Sequence, residues 1–189
     1  MDEKRSEAVG PYTLVAMLYK GAFHGVIWKG GSKIEQFTGD SVDDCLGKVR
    51  GRVGELLQAE AVARGDASPS VSAAVAALHR VAPLLSQGQL RMLQAHFKAP
   101  DHRITATELA KAAGYEGYQA ANLQYGRVGW LLYGELPTSL PRRASDGQLI
   151  YTCALAEQED QRTSDEAQWV WKLRPHIAEA LVAAKVVRA

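Results

Sequence analysis

The sequence predicts an α+β protein. A small three-stranded antiparallel sheet with one covering helix comes first, and a mostly helical unit carrying two late strands follows. Three observations predict this. Tyr12 to Thr38 contains three β-prone runs separated by glycine turns. Val42 to Leu57 then switches to helical spacing. From Ser86 onward helix signals come first, and two β-prone runs come late, on either side of an acidic stretch.

The elements follow in order. Residues 1–10, MDEKRSEAVG, read as a charged, frayed terminus. YTLVAMLY (Tyr12–Tyr19) and AFHGVIW (Ala22–Trp28) read as strands joined by Lys20-Gly21. Lys29-Gly30-Gly31-Ser32 is a hairpin signal, and KIEQFT (Lys33–Thr38) is the third strand, with Ile34 and Phe37 on opposite sides. Ser41 with Asp44 marks a helix start. Val42, Cys45, Leu46, Val49, Val53, Leu56 and Leu57 give that helix an apolar face up to about Arg64. Gly47, Gly51 and Gly54 are expected to let it pack closely on the sheet, with Lys48, Arg50 and Arg52 on or beside its outer side. Gly65 to Ser70 is a linker. VSAAVAALHRV (Val71–Val81) is a connecting helix, and Ser86 caps the next, about Gln89–Phe97. The expected organisation is a βββα domain over 1–65, a linker and connecting helix over 66–85, and a second domain over 86–189.

Ile104 to Leu132 organises that second domain. Thr105 with Glu108 forms a capping-box pattern, and Gly114 suits the left-handed end of a short helix. A turn at Tyr115-Glu116-Gly117 leads to a second helix, about Tyr118–Tyr133. At 100° per residue, Ala120, Leu123, Trp130 and Leu131 share one side. Tyr118, Gln119, Asn122, Tyr125, Gly126, Gly129 and Tyr133 fall on the other. Glycines are poor helix formers, so their presence there suggests a close approach to the backbone. LIYTCAL (Leu149–Leu155) reads as a strand, Ala156 to Gln168 as an exposed hairpin loop, WVWKL (Trp169–Leu173) as the returning strand, and Pro175 as the first turn of a last helix. With His102-Arg103-Ile104 as a short extended segment, the order is that of a winged helix-turn-helix domain.

The amide and tyrosine side of the second helix points to double-stranded DNA. Asn and Gln can hydrogen-bond adenine in the major groove, and tyrosine can bond phosphate. Gln119, Asn122 and Tyr125 are the expected base readers. Arg103, Lys111, Arg127, Arg142 and Arg143, together with Lys98 and His102, are the expected phosphate contacts. A second packing face, buried on another helix or on a homodimer or protein partner, is the competing reading, in which the tyrosine- and glycine-rich helix side and Trp169 and Trp171 bury against the partner. Net charge is +1, with 22 basic and 21 acidic residues, so DNA contact has to come from a local patch. The acidic run Glu157, Glu159, Asp160, Asp165 and Glu166 argues against a minor-groove wing.

Two resemblances bear on this. TATELAKAAGY (Thr105–Tyr115), ANLQYG (Ala121–Gly126) and the W-x-L-R-P of Trp171–Pro175 resemble an accessory segment of some HNH-type restriction nucleases and bacterial proteins. The resemblance covers residues 86–187 and implies a DNA-facing module of regulatory or restriction and defence proteins, bacterial or phage. The nuclease part is absent, so it does not imply cleavage. Residues 12–60 resemble, in topology alone, the sheet-plus-helix modules of integrase arm-binding and methyl-DNA-binding domains. A scaffold or dimerisation unit is the other reading of that part.

No catalytic motif is present. No two of the five histidines stand at i,i+4, neither cysteine belongs to a C-x-x-C pair, and there is no P-loop or G-x-G-x-x-G. The expectation is a non-enzymatic protein without cofactor or metal. Cys45 and Cys153 read as core residues, no apolar run reaches membrane-spanning length, and the cytoplasm is the expected location.

Overall fold

The computed structural model describes residues 4–65, 69–159 and 169–189. It is α+β, with a four-stranded antiparallel sheet and a second, three-stranded sheet. The strands β1 (Lys4–Val9), β2 (Tyr12–Tyr19), β3 (Ala22–Lys29) and β4 (Ser32–Gly39) pair in sequence order. The expected three-stranded sheet therefore gains a strand, and residues 4–9 are not a frayed terminus. β1 is an edge strand on which Val9 is the one fully buried side chain, so its sequence carries little apolar alternation. The β3–β4 register shifts between Ile27 and Trp28. Ile34 is left exposed while Phe37, opposite Gly25, packs on the core.

Helix α1 (Val42–Arg64) starts at Ser41, whose hydroxyl accepts from the Asp44 amide, and packs on β2, β3 and β4. Its close approach to the sheet depends on a strand glycine. A Cβ on Gly25 would lie 2.9 Å from the Cys45 carbonyl oxygen. Gly47 and Gly51 face open space, which overturns their expected role, and Gly54 meets the Tyr151 hydroxyl instead. Cys45 and Cys153 are both buried.

Helix α2 (Val71–Val81) packs against α5 (Tyr118–Glu135) and α6 (Pro175–Ala183). α3 (Gln87–Lys98) opens on a Ser86–Gln89 capping box. β5 (Arg103–Thr105) leads into α4 (Ala106–Ala113), which has the Thr105–Glu108 capping box and the left-handed Gly114. β6 (Ala156–Glu159) and β7 (Val170–Leu173) complete the second sheet, in the order β5-β7-β6 and antiparallel throughout. The expected strand Leu149–Leu155 is corrected: Tyr151–Ala154 is a 3-10 turn packed on α5, and the strand begins at Ala156. A continuous apolar run does not distinguish a strand from any other buried segment. The expected wing tip beyond Glu159 lies outside the described residues.

Among the described residues, the two sheets and six helices share one core. Two glycines let β1 cross α5 backbone to backbone. A Cβ on Gly10 would sit 2.0 Å from the Gly134 carbonyl oxygen, and one on Gly134 would sit 2.9 Å from the Gly10 nitrogen. Tyr133 ties α5 to α1, its hydroxyl 3.2 Å from the Gly54 carbonyl and 3.1 Å from Gln58 Oε1.

Candidate functional site

Helix α5 is divided along its length rather than by face. Its second half is enclosed nearly all round: Val128, Gly129, Trp130, Leu131, Leu132, Tyr133 and Gly134 are buried in succession. Its first half exposes Tyr118, Gln119, Ala120, Asn122 and Leu123. Ala120 and Leu123, expected in the core, face solvent instead, and Leu123 is 71% exposed. The helix starts at Gly117 with no side-chain cap and no carboxylate in its first turn.

The helical wheel alone therefore misplaced several residues. Tyr125 is 1% exposed, which removes it from the base readers. Its hydroxyl lies 2.5 Å from Nδ1 of His96. Nε2 of His96 lies 2.9 Å from the Trp171 carbonyl and 3.0 Å from that of His102, so Nε2 carries the proton and Nδ1 accepts from tyrosine. Burial pushes His96 down to about 4, against the weaker upward pull of those carbonyls. The close approach anticipated at the α5 glycines is made by the chain itself. A Cβ on Gly129 would lie 2.1 Å from the Tyr151 carbonyl oxygen. Gly126 has open space, with Thr152 Oγ1 nearest at 3.9 Å.

A groove of about 1230 Å³ runs along the exposed part of α5. The stripe Tyr118, Asn122, Gly126 and Trp130, four residues apart, forms one side. Tyr151 and Thr152 contribute from the 3-10 turn with Ile150 just before it, and Gln158 and Trp171 from the second sheet with Trp169 just before β7. Three of the four tryptophans in the chain line it, which suits it to planar or apolar partners. The buried amide of Gln89 donates to Gln124 Oε1 at 3.1 Å beside it. The indole nitrogen of Trp130 is buried with no hydrogen-bond partner among the described residues, while its ring meets Tyr151 edge to face at 4.8 Å.

The cations tell a mixed story. Arg127 lies 3.3 Å from Glu7 of β1, which also holds Arg50 in a two-pronged pair. Burial pulls the Glu7 carboxyl upward, but hydrogen bonding from Arg50 and the charge of Arg127 outweigh it and leave it below its ordinary value. Arg142 makes a bidentate pair with Glu55, at 2.8 and 3.0 Å. Arg143 pairs with Asp146 at 2.9 Å, and Arg103 with Glu159 at 2.8 Å and Asp101 at 3.1 Å. His102 is half-buried, with Nδ1 2.6 Å from the Phe97 carbonyl. Lys98 and Lys111 are exposed with no ion-pair partner among the described residues. The acidic residues of β6 are likewise committed, Glu157 to Arg174 and Glu159 to Arg103 and Lys172.

Of the expected base readers, Gln119 and Asn122 remain exposed near one another, and Asn122 lines the groove. Of the expected phosphate contacts, Arg127 and Arg143 line it too. The sequence reading did not place Glu7, Arg50 and Gln158 at this surface, and it gave Trp169 and Trp171 to the competing partner reading. Glu7 lies in a stretch read as a terminus. Among the described residues no helix is long and apolar enough to cross a membrane. Compared with models of known protein families, with curated proteins and with solved structures, the chain matches none.

Proposed function

We propose that this is a double-stranded-DNA-binding protein whose second unit is a winged helix. The exposed first half of α5 enters the major groove in this reading. The order α3, β5, α4, α5, β6, β7 and the sheet order β5-β7-β6 support the winged-helix assignment. The observation that carries the functional reading is the division of α5. Its second half is locked into the core, and its first half presents Gln119 and Asn122 outward from a rigid base. Amides so placed can bond adenine edges. The uncapped helix start and Lys98 and Lys111 supply positive potential for phosphates. Arg127 and Arg143 contribute after exchanging a carboxylate partner for phosphate, which lowers affinity relative to free cations.

One observation favours a protein partner on the same surface. Leu123 at 71% exposure and Tyr118 at 44% stand beside the groove, and an apolar helix face with aromatic neighbours is the composition of a protein interface. Selection from a random duplex pool, followed by gel shift at low and moderate salt, tests the DNA reading. Enrichment of a sequence whose binding Asn122→Ala weakens supports it. Absence of any duplex binding at low salt rejects it in favour of the protein partner.

A further inference from the structure

The outward face of the N-terminal sheet is a second surface with a composition of its own. The sheet side carrying Leu14, Ala16, Gly25 and Ile27 is covered by α1. Register places Val15, Met17, Tyr19, Val26, Trp28 and Ile34 on the other side, together with His24, Thr13, Gln36 and Thr38. Val26 is buried yet stands apart from the main core cluster, so its neighbours on this face cover it. Tyr19 is 55% exposed and Ile34 46%. The two carboxylates of these strands, Glu7 and Glu35, both turn to the α1 side, where they pair with Arg50 and Arg52. The outward face therefore has a mixed centre with no acidic residue, in which Val15, Met17, Tyr19, Val26 and Trp28 surround a His24–Gln36 pair, and Lys4 and Lys33 lie at its rim.

We infer that this face is a homodimer interface, occupied by a second copy of the chain. Three strands have eight residues and one has six. At ~3.3 Å per residue and ~4.8 Å between strands, the footprint is roughly 500 Å² per copy, or about 1,000 Å² for a pair, the lower bound of specific interfaces. A two-fold contact presents the same patch from both sides, so it tolerates an uncharged centre and is disfavoured by a charged one. The centre here contains no carboxylate. A four-stranded face is also wider than the ~12 Å major groove, which disfavours duplex DNA as the occupant.

Sedimentation of the full chain between ~1 and ~200 μM, at low and moderate salt, tests the inference. The expected result is a concentration-dependent dimer that salt does not weaken. Ile34→Glu and Tyr19→Glu, at positions too exposed to decide folding, each raise the dimer dissociation constant at least about tenfold by placing a carboxylate in the contact. Val62→Glu, at an exposed apolar residue of α1 away from the sheet, leaves it unchanged. A monomer at every concentration overturns the inference, as does a dimer indifferent to both sheet variants. Loss of duplex binding by Ile34→Glu and Tyr19→Glu in a chain that stays monomeric also overturns it, and assigns the face to nucleic acid. Dimerisation and DNA binding are read separately, so failure of either leaves the other standing.

Discussion

His96 fastens three segments through one ring. It is fully buried on α3, its Nε2 faces the carbonyls of Trp171 and His102, and its Nδ1 meets the Tyr125 hydroxyl. A proton on Nδ1 buries a charge and turns the Tyr125 hydroxyl from donor to acceptor, and burial lowers the pKa from an ordinary 6.5 to about 4. The unfolded chain then binds a proton that the folded chain refuses. Stability is complete above the unfolded value and declines as pH falls from about 6.5 toward about 4. Between pH 6.5 and 5, before most carboxylates titrate, the expected loss is on the order of 2 kcal/mol. Urea unfolding across that window measures it. Burial lowers His176 as well, so the test is the difference between wild type and His96→Gln, which loses most of the slope. Tyr125→Phe leaves Nδ1 without a donor and costs about 1–3 kcal/mol. The sequence showed neither role. Tyr125 lies on what looks like a polar side of α5, and its partner is 29 residues earlier.

At the scale of elements, α5 depends on which of its glycines faces the chain and which faces the groove. Gly129→Ala drives a Cβ into the Tyr151 carbonyl and is expected to cost at least about 2 kcal/mol. Gly126→Ala meets nothing closer than ordinary contact, so the helix-propensity gain of up to about 1 kcal/mol survives. Chemical denaturation of the two variants gives shifts of opposite sign. Equal losses contradict the packing assigned to Gly129. Helix starts were legible because caps are local: Ser41, Ser86 and Thr105 each accept from an amide three residues on. The Gly114 stop was legible for the same reason. β1 was not, because Lys4–Val9 buries one side chain fully and is held by pairing with β2. Nor was the division of α5. The wheel treats every turn alike, whereas the 3-10 segment Tyr151–Ala154 packs over the second half and makes its polar-looking residues interior.

Across the whole molecule, Glu7 of β1 holds Arg50 of α1 and Arg127 of α5. Its lowered pKa means that the pair stabilises the fold above the ordinary carboxylate range and stops doing so as pH falls through the folded value. Glu7→Gln leaves two guanidinium groups without their shared carboxylate. Thermal stability therefore falls. Affinity for duplex DNA rises by about 3- to 10-fold at low salt under the DNA reading, because Arg127 is released toward phosphate. A variant that loses stability without gaining affinity separates the junction from the binding surface. The candidate site itself was half legible. Gln119 and Asn122 were readable from residue type on an exposed helix start, whereas the groove beside them is assembled from segments as far apart in the chain as Glu7 and Trp171, which no local pattern reports.

The most direct test is fluorescence anisotropy of the full chain on a selected duplex over a salt series, with Gln119→Ala and Asn122→Ala beside wild type. Wild-type affinity is predicted to fall log-linearly with salt, and each variant to lose roughly 5- to 150-fold on the selected site, matching ~1–3 kcal/mol per bidentate amide contact, with the salt slope unchanged. Undetectable duplex binding at low salt, or wild-type affinity in both variants, contradicts the assignment of α5 as a DNA-reading helix.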